Sequence, residues 1–455
     1  MNLVFKKNNL YKVFLFSFFI FLVLFRLHNA SEFNPYWGYD GGGHLEYIQK
    51  IYEENKLPSM EENYLAWHEP GFYYFYAQSG HVLDYFAGDK EYDFYEFIVK
   101  MWQIFSAMSS VLMIYLVYKI AQQFTSNKNV WLAAVFSSGF LSVITETTNY
   151  LTNELLLAFL VILLFYYFIR FSKKGWNLKR VIYISILSGI ALLTKLSALI
   201  FIFSIIIWFI YRSIYTRKFK WLGYVILLIF VSVLIYSPWA IYKQKNIGSL
   251  FSINIYEDNL SESRELNSDF FYRLNPQVFT NPFWMTSSNS FWAVIFADTF
   301  SDYYSISNNL DKSISLPDNQ RLWVDSGNFV THMKYRLSVV LLYFSIFFIL
   351  IFFAGVIGLI WQLIKKKLKP SINLFVLIYI IGSFLALMYN VFSFPFLERG
   401  TLKASFVLSV WPILMLIGWS WLANILDKFK LNFLWIPVWF LILIWGGLSI
   451  AINWI

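Results

Sequence analysis

The chain predicts an all-α polytopic membrane protein of about eleven transmembrane helices, with two long extracytoplasmic loops that carry short helices. Three observations point there. Of 455 residues, 58% are hydrophobic and 14% charged, with a mean hydropathy of +0.54. Soluble domains run at roughly half apolar and about a quarter charged. Apolar runs of bilayer length recur along the chain, and the connections between them alternate in charge. Aromatic residues make up 22%, including 49 Phe and 19 Trp, and Trp and Tyr concentrate where helices cross the headgroup zone. The net charge of +9 would suit nucleic acid, but the Lys and Arg fall between hydrophobic runs, where they set topology. No nucleic-acid partner is expected. Cysteine is absent, which excludes disulfides, thiolate catalysis and Cys-ligated metals.

Eleven spans are expected near 10–26, 99–121, 130–148, 153–171, 180–194, 195–212, 221–242, 337–362, 372–392, 404–426 and 431–451. One set of connections is basic: Lys6, Lys7 and Lys12; Lys128; Lys173, Lys174, Lys179 and Arg180; Arg212, Arg217, Lys218 and Lys220; Lys365, Lys366, Lys367 and Lys369; Lys428 and Lys430. The other set is long, acidic or polar. The positive-inside rule puts the basic set and the N-terminus in the cytoplasm, with the C-terminus outside. Residues 1–30 also resemble a signal peptide, yet Arg26 and His28 sit poorly before a cleavage site, so a retained first helix is expected. The chain then divides into 1–26 (first span), 27–98 (first extracytoplasmic loop), 99–242 (spans two to seven), 243–336 (second long loop) and 337–455 (spans eight to eleven). Loops of that length are usually functional. In the first, Leu65 to Tyr76 is rich in Trp and Tyr and suits a membrane surface. The second, with Trp284, Trp292 and Trp323, suits a cap on the bundle.

Candidate chemistry gathers in the outer segments. Asp40 precedes Gly41, Gly42 and Gly43, which free the backbone and leave space beside the carboxylate. His44 and Glu46 follow in a stretch, His44 to Glu54, that reads as helical; the competing reading makes Asp40 merely its cap. His68 and Glu69, before Pro70-Gly71, could hold a divalent ion with His44 or Asp40; solvated charges in an aromatic segment are the alternative. Such an ion is the one cofactor left open. Glu154 opens the fourth span, either facing a polar cavity or complementing the helix N-terminus behind Thr152 and Asn153. Lys195 interrupts the apolar stretch Val181 to Ser213, as a phosphate ligand or as a snorkelling residue at a hairpin turn. Arg399 and Lys403 precede the tenth span on the same side. Three cations on a side otherwise short of positive charge point to an anionic ligand.

In this order the segments resemble the glycosyltransferase C superfamily, in its mannosyltransferase-like group that includes protein O-mannosyltransferases and aminoarabinose lipid A transferases. Tyr39-Asp40 through His44-Leu45-Glu46 is similar to the first-loop Asp-Glu-x-x-His signature. His68-Glu69-Pro70-Gly71-Phe72-Tyr73-Tyr74 resembles the His-Pro-Pro-Leu-Tyr-Tyr element. Leu151 to Glu154 is similar to Thr-Asn-Asp/Glu, and Gly189 to Lys195 to Gly-Leu-Ala-x-Leu-Thr-Lys. Pro238-Trp239 to Gly248, and Lys403 to Pro412, resemble later landmarks. Two departures stand out: Gly41 replaces a second acid, which argues against metal there, and Gly71 replaces a proline, which implies a looser turn.

The resemblance implies a helical bundle with its active site between the first outside loop and the membrane surface. Asp40 matches the catalytic aspartate, a general base, and Glu154 the second acidic position. Lys195, Arg399 and Lys403 become ligands of the donor phosphate, with His44 and Tyr73 completing the substrate-binding set. The donor would be a sugar on a polyprenyl phosphate or diphosphate, and the acceptor a protein, lipid or glycan hydroxyl outside a cell membrane. Inverting transfer fits these residues: one carboxylate takes the acceptor proton, and cations stabilise the leaving phosphate. A transporter or flippase of lipid-linked sugars is the competing class, expected to bury charges in mid-membrane on broken helices. A non-catalytic assembly subunit is the third.

Overall fold

The computed structural model describes residues 2–34, 38, 40–87, 94–248, 268–283, 288–304, 329–365, 369–394 and 402–454. All regular elements among them are helical. In chain order they are α1 (Asn2–Glu32), α2 (Gly41–Glu54), α3 (Gly71–Ala87), α4 (Phe94–Phe124), α5 (Lys128–Gly139), α6 (Ser142–Asn149), α7 (Glu154–Lys174), α8 (Leu178–Thr194), α9 (Leu199–Thr216), α10 (Lys220–Asn246), α11 (Ser268–Tyr272), α12 (Phe291–Phe300), α13 (Phe329–Lys365), α14 (Ile372–Ser393), α15 (Val410–Lys428) and α16 (Trp435–Asn453).

Several helices start where a short polar side chain can take an orphan amide. The side chain of Asn127 accepts from the Asn129 N–H, Asn177 from Arg180 and Ser371 from Leu374. Nine helices among the described residues are long and apolar enough to cross a membrane, ten if the bent pair α5 and α6 counts as one span. The protein is thus an all-α polytopic membrane protein. The expected fifth span falls on α8, which has only 17 residues.

The expected third span is not continuous, since α5 and α6 meet at 47°. The break has a physical cause, because side chains take the carbonyls that a straight helix would bond. Arg26, fully buried on α1, donates to the Gly139 carbonyl at 2.7 Å. Ser449 donates to the carbonyl of Phe140. Arg26 is therefore part of the bundle.

Between spans, small residues let backbones approach, as dispersion packing in lipid requires. A Cβ on Gly355 of α13 would lie 2.8 Å from the Gly418 Cα of α15, and one on Gly189 of α8 would lie 2.7 Å from Ile235 of α10.

The first long segment forms a second small core. Leu45, Ile48 and Ile51 of α2 are buried with Leu65, Phe72, Tyr73 and Tyr76 against Trp102 of α4. Much of Leu65 to Tyr76 is thus packed inside this core rather than spread on a surface. Gly71 makes the junction tight, not loose: a Cβ there would lie 2.7 Å from the Leu193 carbonyl oxygen at the end of α8. In the second segment, α11 and α12 are the short helices; Trp292 donates to the Phe271 carbonyl at 2.7 Å, while Trp284 and Trp323 lie outside the described residues.

Gly355→Leu is expected to destabilise the bundle by about 1–3 kcal/mol through overpacking. Gly223→Leu, where an added Cβ meets nothing within 4 Å, is the control. Thermal unfolding in detergent should separate the two, and equal melting temperatures would contradict the α13–α15 contact.

Candidate active site

Asp40 stands just before α2 with φ 56° and ψ 15°. A non-glycine residue in that left-handed region carries strain and marks a place worth functional scrutiny. Its side chain makes no capping bond to α2; instead Oδ1 accepts the Tyr64 hydroxyl at 3.2 Å. The cap alternative therefore falls: the backbone carbonyl of Asp40 serves the helix through the His44 N–H at 2.9 Å, leaving the carboxylate exposed and available.

Behind it, His44 Nδ1 lies 2.9 Å from the Tyr73 hydroxyl, which lies 3.1 Å from His68 Nδ1. One hydroxyl can donate to one ring and accept from the other. Tyr47 stacks on Tyr73 with centroids 3.7 Å apart. All four side chains sit in the wall of the site, with His44 and Tyr73 buried. Burial pulls the His44 imidazole down to about 4, against Asp40 and with Lys195 and Lys403. It pulls His68 down as well. Both rings are neutral at physiological pH.

Glu69 points elsewhere. Its carboxylate accepts the Leu196 N–H at 3.1 Å and the Tyr236 hydroxyl at 3.3 Å. Burial raises its pKa, and Lys243 opposes that most. Lys243, on α10, is buried with its ammonium 5.9 Å from the Trp67 ring centre. His68 Nδ1 and the Glu69 carboxylate thus bond to separate partners. Among the described residues, no group of three His, Cys, Asp or Glu is placed to hold a metal ion.

Where α7 begins and α8 ends, Glu154 and Lys195 form an ion pair. The Thr152 hydroxyl accepts the Glu154 N–H at 3.2 Å, completing the helix start. Asn153 instead reaches across, 3.5 Å from both His68 Nδ1 and the Thr194 carbonyl. Lys195 and Lys403 share one ring: their ammoniums lie 5.2 and 5.4 Å from the centre of Phe406. Burial lowers the Lys403 ammonium to about 8, opposed first by Asp40 and then by Glu154. The fold therefore brings Asp40, Glu154, Lys195 and Lys403 into one electrostatic group. Arg399 lies outside the described residues. Beside Phe406 a small cavity lies between helices, lined by Leu157, Val161, Ile200, Phe201 and Val407 together with Ser197, Tyr379, Ser383 and Ser409.

Residues 97–237 match the family described as dolichyl-phosphate-mannose-protein mannosyltransferase. Among solved structures, ArnT from Cupriavidus metallidurans bound to undecaprenyl phosphate is similar, with a TM-score of 0.52 and 13% identity over 90% of this chain and 60% of that one. The Archaeoglobus fulgidus oligosaccharyltransferase in complex with Zn and sulfate has a TM-score of 0.53 and 15% identity over 96% of this chain and 52% of that one. The same organism's AglB with an inhibitory peptide and a dolichol-phosphate gives 0.52 and 13%, over 97% and 56%. The chain carries the glycosyltransferase C fold. Its 97–237 stretch is mannosyltransferase-like. The chain spans 60% of ArnT and 52% of the oligosaccharyltransferase. No curated protein matches the sequence.

Within this glycosyltransferase C fold, sequence reasoning overlooked Tyr64 and Lys243. Lys243 lies inside the Pro238 to Gly248 landmark, where one of two lysines ending an apolar helix, with Lys245, was its only signal. Tyr64 carried none.

Unfolded His44 gains charge below its ordinary 6.5, whereas the folded ring stays neutral down to about 4. The unfolded chain binds more protons across that window, so stability should fall as pH drops through it. The melting temperature should decline with a shallower slope in His44→Gln; parallel slopes would refute the buried neutral imidazole.

Proposed function

We propose that the protein is an integral-membrane glycosyltransferase that moves a sugar from a polyprenyl-phosphate-linked donor to an acceptor hydroxyl on the extracytoplasmic side, with inversion. The observation that carries this reading is the grouping of Asp40 with Lys403 and Lys195, the two ammoniums beside one ring, Phe406. It is supported by the mannosyltransferase-like stretch and by fold relatives that bind undecaprenyl phosphate and dolichol-phosphate.

In this mechanism the acceptor oxygen attacks the anomeric carbon and passes its proton to Asp40, the general base. The bond from the anomeric carbon to the phosphate oxygen breaks, and the electron pair leaves with the phosphate. Lys403 takes up the developing charge, and Lys195, held by Glu154, adds to it. Arg399 is the third cation of this proposed set. His44 and Tyr73 shape the wall that aims Asp40. The acceptor is a protein, lipid or glycan hydroxyl.

The transporter reading finds one feature in its favour, the broken pair α5 and α6. That break, however, is closed by Arg26 and Ser449, and the cavity is lined by other helices.

Asp40→Asn keeps shape and removes the base. In purified protein given undecaprenyl-phosphate-linked hexoses and pentoses, turnover should fall by roughly 10²–10⁴, with donor affinity unchanged. A correctly inserted variant that transfers sugar at the parental rate would falsify the assignment.

A further inference from the structure

The bundle gives Lys403 no long helix to stand on. It lies in an extended turn (φ −127°, ψ 139°) just before a single 3₁₀ turn, Ala404–Val407. Extended backbone between helices is free to shift unless its amides and carbonyls are tied. Here four of the neighbouring groups are. Asp298, on α12, accepts the Ala404 N–H on Oδ2 at 2.5 Å. Tyr304, just beyond α12, donates its hydroxyl to the Leu402 carbonyl. Trp411 Nε1 donates to the Ala404 carbonyl at 3.0 Å, and the Phe406 N–H to the Lys403 carbonyl at 3.3 Å.

We propose that Asp298 and Tyr304 are positioning residues: they clamp the backbone on both sides of Lys403 and thereby aim its ammonium at the donor phosphate. The proposal rests on the donor-phosphate role given to Lys403 above and assigns a task to the second long segment, from which both residues come. Asp298 and Tyr304 are buried, at 5% and 2% exposure, and Lys403 at 8%. The contacts are thus made away from bulk water, where a lost partner leaves an orphaned amide or carbonyl. Asp298 also acts through space. It favours the charged form of Lys403, as Asp40 and Glu154 do, while Lys195 opposes it. Asp298 itself is pushed up to about 7 by burial and by Asp302, against the Ala404 N–H and Lys403. Either protonation state keeps an oxygen for the Ala404 amide. A purely structural anchor would need none of this; α12 is already seated by Phe291, Val294 and Phe300 in the main core.

The test uses the whole protein in detergent with undecaprenyl phosphate as probe. It reads the Kd for that lipid and, by mass spectrometry, the rate at which the Lys403 amine is reductively methylated. Asp298→Ala is expected to speed methylation about fivefold and weaken the lipid about tenfold; Asp298→Asn, which still accepts from Ala404, should stay within about threefold of the parent on both. In a Lys403→Met background, Asp298→Ala should cost no further affinity, because it acts through that side chain. Losses that multiply in the double variant, or methylation unchanged by Asp298→Ala, overturn the clamp. If methylation rises while Lys403→Met binds the lipid as the parent does, the clamp holds and the donor-phosphate role is what fails. Tyr304→Phe, which removes one hydroxyl and keeps the ring, carries the same test at about threefold should Asp298→Ala fail to fold.

Discussion

A buried carboxylate and a half-buried ammonium meet where two apolar helices end, and much of the site is arranged around that pair. Glu154 opens α7, and Lys195 closes α8. Neither charge could stay at the end of a bundle alone; removing one partner of a buried ion pair costs about 3–5 kcal/mol. The pair joins two helices of the bundle and leaves the Lys195 ammonium beside Phe406. Glu69 extends the same constraint to the first long segment, because its carboxylate takes the Leu196 amide one residue on. Three distant stretches are thereby held to one point by charge and hydrogen bonding rather than by apolar burial, which carries little driving force between helices in lipid.

Around that point the polar groups divide by task. His44 and Tyr73 are buried, His68 is half-buried, and the three are bonded in a chain through the Tyr73 hydroxyl, so they give the wall a fixed shape and add no net charge. Asp40 sits at the mouth in a strained conformation, partnered by a tyrosine instead of its own helix. Strain of that kind persists only where the surroundings over-determine it. The stacked Tyr47 and Tyr73, the tight Gly71 junction and the small core of α2 and α3 supply such surroundings. The carboxylate is free to face a ligand because its neighbours are not.

Much of this was legible beforehand, for reasons that differ by residue. The spans could be read because apolar content and basic connections are properties of short windows. Asp40, Glu154, Lys195 and Lys403 stood out because an ionisable group is costly beside an apolar run and therefore conspicuous. The cap reading of Asp40 failed because its side chain turns to Tyr64 rather than to its own helix, which no composition reveals. His68 and Glu69 looked like a pair because they are adjacent, yet successive side chains diverge, and here each found a partner far along the chain: Tyr73 for one, Leu196 and Tyr236 for the other. The third span read as one helix because every residue in it is compatible with helix; its break is imposed by Arg26 and Ser449 from α1 and α16.

Local chemistry thus settled that this chain lives in a bilayer as helices, and which of its charges are out of place there. Their convergence was beyond it. Residues 154 and 195 pair, 195 and 403 share one ring, 40 acts on 403 through its charge, and 298 grips 404, only because helices remote in sequence pack side by side. Such packing depends on shapes and distances that a linear pattern does not encode.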